Sequence, residues 1–187
     1  LKPAEQTPLR ALRLAQLVLE AGLPDGAFNL LTGLGEEAGA ALTEHPGVDK
    51  VTFTRSTEVG RVIIRAASGN FKRVTLELGG KTPVIVLADA DVEKAAMGAA
   101  RSIFTNAGQI CNAGSRLYAH AKVFDELVER VAQYADGIQL GSGLDPATRM
   151  GSVVSEEQQQ RVQGYVTSGL EQGARRNSKR GAADSSG

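Results

Sequence analysis

Tryptophan is absent from this 187-residue sequence and aromatic residues make up only 4% of it, so the core has to be built from Ala, Val, Leu and Ile. A single cysteine excludes an internal disulfide and a cysteine-rich zinc site. No apolar run approaches the roughly 20 residues that cross a bilayer, and no basic-then-apolar signal opens the chain. Neither sign of charge dominates: 21 Lys and Arg balance 21 Asp and Glu. Neither nucleic acid nor a membrane surface is therefore expected as a partner. With 42% hydrophobic and 22% charged residues the chain has a globular composition rather than a disordered one. It begins mid-pattern at Leu1, as an internal segment would. A reducing compartment is expected, the cytoplasm by default, with an organelle left open.

What is there alternates between helical and extended patterns. Thr7-Pro8 is a helix start, with Thr as cap and Pro at the first helical position. Apolar residues then recur at helical spacing until Gly22. Phe28 to Leu31 is expected as a short strand, Glu36 to Glu44 as a short helix, Val48 to Phe53 as a strand and Ser56 to Ala67 as a helix. Val74 to Leu78 and Thr82 to Leu87 are further strands. The second of these carries its proline at the start, where a missing donor is tolerated. Asp91 opens an Ala-rich helix reaching about Thr105; Ser115 to Ala119 is a strand, Val123 to Tyr134 a helix, and Glu156 to Gln172 the last helix. Such alternation predicts an α/β fold with a largely parallel sheet. After Gly173 the apolar period stops, and a solvated, disordered tail is expected.

Three places carry chemistry. A strand feeding a helix through Ser56, Thr57 and Gly60 offers free backbone N–H groups and a helix dipole to an anion; an ordinary helix cap is the competing reading. Glu77 ends an apolar strand just before Gly79 and Gly80, where a carboxylate can serve as a general base or stand as a solvated partner of Lys81. Cys111, in the Gly-bracketed turn Gly108 to Arg116, is a nucleophile if local donors lower its pKa and otherwise a small core residue.

Taken together and in order, Lys2 to Pro8, Gly22 to Gly26, Phe53 to Gly60, Leu76 to Lys81 and Gly108 to Arg116 resemble the NAD(P)-dependent aldehyde dehydrogenase superfamily. The resemblance covers residues 1 to about 173, and the spacing from Glu77 to Cys111 also matches. It implies parts of a Rossmann-like dinucleotide-binding domain, residues 1–78, and of an α/β catalytic domain, residues 79–173, followed by the tail, residues 174–187. It also implies that an aldehyde is oxidised to a carboxylic acid through a cysteine thiohemiacetal and thioester. Cys111 would be the nucleophile and Glu77 the base that activates water. Lys2 and Glu5 would hold the adenine ribose, Ser56 the pyrophosphate, and Leu78 and Gly79 would lie near the nicotinamide.

A carboxylate at Glu5 favours NAD over NADP, with NADP left open. The parent enzyme would be a homodimer or homotetramer acting on a small-molecule aldehyde. Asn112 is a candidate for tuning the substrate pocket, whereas His45 and His120 match no catalytic position. The alternative is a catalytically inactive fragment or pseudoenzyme acting as a cofactor-binding or interaction module, and the segment on its own is expected to be inactive. A CoA-acylating relative is disfavoured, because it would not need the base supplied by Glu77. One departure stands out: the family pattern has glycine before Ser56, and here the residue is Arg55. Its side chain would either crowd the pyrophosphate, the expected outcome, or pair with a phosphate.

Overall fold

The computed structural model describes residues 1–178. The chain divides between Leu78 and Gly79 into two compact units. In the first, α1 (Leu9–Glu20) is followed by a π turn (Gly35–Gly39), α2 (Ala40–Glu44), β1 (Lys50–Arg55), α3 (Thr57–Ala67) and β2 (Arg73–Leu78). In the second, β3 (Pro83–Val86) leads through α4 (Val92–Phe104) and a 3-10 turn (Thr105–Gly108) to β4 (Arg116–Ala119), α5 (Ala121–Asp136) and α6 (Glu156–Glu171).

Each unit contains one parallel strand pair joined by a helical crossover, the arrangement that parallel pairing requires. β1 pairs with β2 so that Thr54 faces Glu77 and Arg55 faces Leu78. β3 pairs with β4 from Pro83 opposite Arg116 to Val86 opposite Ala119. Pro83 is the first residue of its strand, so no ladder donor is lost.

The helix starts follow capping chemistry. Ser56, Asp91 and Ser155 each accept a hydrogen bond from the backbone N–H three residues on and cap α3, α4 and α6. His120, unassigned by sequence, caps α5 by accepting from Lys122 N at 3.1 Å. Thr7 does not act as a cap: Pro8 occupies that position, with no side-chain hydrogen bond. The strand expected at Phe28–Leu31 does not form. Its pairing is confined to Leu1, whose carbonyl accepts from Leu31 N at 2.9 Å and whose amino group donates to Asn29 O at 2.6 Å. Two hydrogen bonds to one residue are too few for a ladder.

In the first unit, α3 lies on the sheet through buried Gly60, Ile63 and Ala67. A Cβ at Gly60 would come within 3.0 Å of Leu78 Cδ2, so this glycine serves helix-to-strand packing rather than the anion turn that its sequence position suggested. Lys72 is buried, and its Nζ donates to the carbonyls of Thr43 and His45, satisfying the end of α2. A buried ammonium is tolerable only when donors find acceptors in this way. In the second unit the core is Val86, Ala96, Val123 and Leu127, with Val84, Leu117 and Val131 against it. Ala96, Ala99 and Ala100 are all buried on α4, so a helix of small residues takes the place that aromatic side chains fill elsewhere.

Residues 174–178 carry no regular structure, and Ser178 Oγ donates to Asp136 Oδ1 at 2.6 Å. The rest of the expected tail, residues 179–187, lies outside the described residues. Among the described residues no helix is long and apolar enough to cross a membrane.

Candidate active site and dinucleotide site

In the first unit the structure brings together residues that are far apart in sequence. Lys2 Nζ donates to Glu5 Oε1 at 2.7 Å. Arg55 Nη1 lies 3.5 Å from Glu5 Oε2. The Lys2 hydrogen bond, aided by backbone donors that include the Gly35 amide, holds the Glu5 carboxyl down at about 2 against an ordinary 4.5. Glu5 is thus an ionised acceptor with a cation at each oxygen. Sequence offered no sign of the Arg55 contact. Its guanidinium, expected to crowd the pyrophosphate or to pair with a phosphate, is in contact with Glu5.

Next along the chain, Ser56 Oγ accepts from Val59 N at 3.3 Å. That cap uses an oxygen lone pair and leaves the hydroxyl hydrogen available for donation. Ser56 therefore keeps a donor at the N-terminus of α3, where the first amides and the dipole favour an anion. Glu77 and Leu78 are the last two residues of β2; Glu77 is exposed, and Leu78 is half-buried over Gly60.

Gly79 opens the second unit, exposed and with open space where a Cβ would stand. Cys111 lies in the same unit and is exposed, which removes the reading of a small core residue. Its turn is fixed on both sides. Upstream, Asn106, Ala107 and Gly108 run consecutively in the left-handed region, with φ of 52°, 54° and 73°, and reverse the chain as it leaves α4. The side chains of Asn106 and Gln109 exchange hydrogen bonds with each other's carbonyls at 3.3 and 3.1 Å.

Gln109 Oε1 also accepts from Val154 N at 2.9 Å, which ties the turn to the segment before α6. Sequence reasoning did not single out Gln109; a polar residue inside a Gly-bracketed turn was the available signal. Downstream, Ala113 N donates to Ile110 O at 3.2 Å and Gly114 N to Ser102 O at 3.1 Å. Gly114 fits against α4 with no room for a side chain: a Cβ there would stand 2.2 Å from Ser102 Oγ and 2.7 Å from Val84 Cγ2. The outcome is a thiol held outward on a braced loop, the exposure that a nucleophile needs. Asn112 beside it is exposed as well.

Comparison with known proteins converges on one family. The model described as "Aldehyde dehydrogenase family" matches residues 1–185. Phenylacetaldehyde dehydrogenase of Pseudomonas fluorescens is 55% identical over 174 residues, covering 93% of this chain and 35% of that protein. The human mitochondrial aldehyde dehydrogenase is 48% identical over 176 residues, covering 94% of this chain and 34% of that protein. Among solved structures, the NAD+ complex of aldehyde dehydrogenase from Bacillus cereus superposes with a TM-score of 0.90 at 48% identity, covering 92% of this chain and 35% of that one. The chain thus spans about a third of the length of the relatives it matches. A family match over nearly the whole sequence and a shared fold at close to half identity agree with the order of the motifs: this chain belongs to the aldehyde dehydrogenase family.

Proposed function

We propose that this chain carries the nucleophile, the base and part of the dinucleotide site of an NAD-dependent aldehyde dehydrogenase. The observation that carries the proposal is the exposed Cys111 on a turn braced from both sides. A nucleophile must be reachable and yet held in one geometry, because catalysis gains most from pre-paid orientation. The residues assigned to the ribose, the pyrophosphate and the base lie in residues 1–78, apart from Gly79, and the thiol lies in the second unit.

The residues of the first unit suit the cofactor. A carboxylate kept ionised by Lys2 can accept from a ribose diol. The N-terminus of α3, directly after a parallel strand, suits a pyrophosphate. Lys2, Glu5, Ser56, Leu78 and Gly79 would line the dinucleotide, and bound NAD+ supplies the hydride acceptor.

The rest belongs to the protein. Cys111 Sγ, as thiolate, adds to the aldehyde carbonyl carbon. The Cys111 backbone N–H stabilises the oxygen that gains charge. Once the carbon has reached the acyl level, Glu77 takes a proton from a water molecule. The resulting hydroxide attacks the thioester, the C–S bond breaks, and the carboxylic acid leaves as the thiolate is restored.

The test is Cys111→Ala in the full-length parent enzyme, assayed both for aldehyde-dependent NADH formation and for ester hydrolysis. Both activities should vanish together, since both need the same thiolate. Turnover retained in either assay would remove Cys111 from this role.

A further inference from the structure

We infer that Arg55 sets which dinucleotide this protein accepts: by engaging the second oxygen of Glu5 it opens the ribose site to a 2′-phosphorylated nucleotide. The inference rests on the proposed assignment of Lys2 and Glu5 to the ribose. It bears on a residue that the family pattern does not explain.

A carboxylate alone at the ribose accepts hydrogen bonds from a 2′-hydroxyl and repels a 2′-phosphate. One cation, Lys2, stands 2.7 Å from Oε1. That pair by itself is neutral and leaves Oε2 without a cation. Arg55 changes both features. Its Nη1 stands 3.5 Å from Oε2, so the second oxygen also meets a cation, and the cluster of three side chains carries a net positive charge.

The order of exposure matters. Lys2 and Glu5 side chains are 13% and 24% exposed, while that of Arg55 is 57% exposed. Arg55 therefore forms the outer rim, and an incoming phosphate meets the guanidinium before the carboxylate. A guanidinium presents five N–H donors in a rigid plane matched to phosphate oxygens. Engaging Glu5 through one corner leaves the remaining donors for a second anion. At 3.5 Å the contact is also longer than the 2.7–2.9 Å of a tight charge-assisted hydrogen bond, so Arg55 is not locked in place. It can turn toward a phosphate while still screening the carboxylate behind it.

The experiment reads binding rather than turnover. Adenosine 5′-monophosphate and adenosine 2′,5′-bisphosphate are titrated calorimetrically into the purified protein and its Arg55→Gln, Arg55→Lys and Glu5→Gln variants, each checked for a cooperative melting transition well above the titration temperature. The wild type should bind the bisphosphate at least as tightly as the monophosphate, with a preference that fades as salt rises. Arg55→Gln should weaken the bisphosphate by about 10- to 100-fold, the worth of a charged hydrogen bond, and leave the monophosphate within about threefold. Arg55→Lys should restore part of the loss.

An equal effect of Arg55→Gln on both nucleotides would overturn the inference, as would a wild type that already rejects the bisphosphate. The underlying ribose assignment fails separately if Glu5→Gln changes the affinity of neither nucleotide. Absence of binding by the wild type would overturn both.

Discussion

Replacing Gly114 by Ala tests whether the turn bearing Cys111 is braced in the way described. The backbone at Gly114 requires no positive φ, so the cost is purely one of space. The added methyl would lie 2.2 Å from Ser102 Oγ, 2.7 Å from Val84 Cγ2 and 3.2 Å from Ser102 Cβ. Carbon contacts are comfortable only near 3.5–4.0 Å, so α4 and β3 must both give way. Rotating Ser102 away relieves only part of the overlap, because Val84 Cγ2 would still lie 2.7 Å from the methyl. Overpacking of this kind costs about 1–3 kcal/mol, and two independent clashes place the expectation at about 2–3 kcal/mol. Urea denaturation followed by circular dichroism should show a lower midpoint at unchanged slope.

Ser102→Ala removes the nearest clashing atom. Ser102 Oγ otherwise donates to Ala99 O at 2.9 Å within its own helix, a bond of little net worth. The double variant should therefore recover about 1 kcal/mol relative to Gly114→Ala, and the cycle should be non-additive. Full stability in Gly114→Ala, or strictly additive effects, would refute the claim that this glycine seats the turn on α4 and β3.

Leu127→Ala, at the fully buried centre of the second core, should cost about 2–5 kcal/mol in the same denaturation assay. Glu5 has a folded pKa of about 2, depressed below its ordinary 4.5. Its contribution is therefore fully present above pH 4.5 and is lost as pH falls toward 2; the stability gap between wild type and Glu5→Gln should close over that window. Glu77→Gln cannot accept a proton, so stopped-flow mixing with aldehyde and NAD+ should show an NADH burst followed by a much reduced steady rate. Loss of the burst would move Glu77 to an earlier step, and an unchanged steady rate would make it structural.

The sequence was most legible where local chemistry decides structure. Ser56 and Asp91 marked helix starts because a short side-chain oxygen satisfies a backbone N–H that would otherwise be orphaned. The paired strands were visible as apolar runs between turn residues. Phe28–Leu31 looked equally extended but gained only the two hydrogen bonds to Leu1; pairing depends on a neighbour, which local pattern cannot report. The same limit explains Gly60, whose value lies in Leu78 packed above it, and Arg55, whose partner Glu5 lies fifty residues away. Cys111 and Glu77 were legible as candidates because their residue types and flanking glycines suit the chemistry. The contact from Gln109 to Val154 that braces the cysteine turn had no local signature.

The turn that carries Cys111 is also the crossover between two strands of a parallel pair, β3 and β4. Such a connection cannot settle before its strands meet, and bringing distant strands together costs chain entropy before any contact rewards it. During refolding the thiol should consequently travel with a loose chain until β4 docks beside β3, and become positioned only then. Cys111 is accessible in the folded protein as well, so what folding changes at this position is the orientation of the thiol rather than its exposure. The moment at which the thiol acquires that fixed orientation would then serve as a clock for the closing of the sheet.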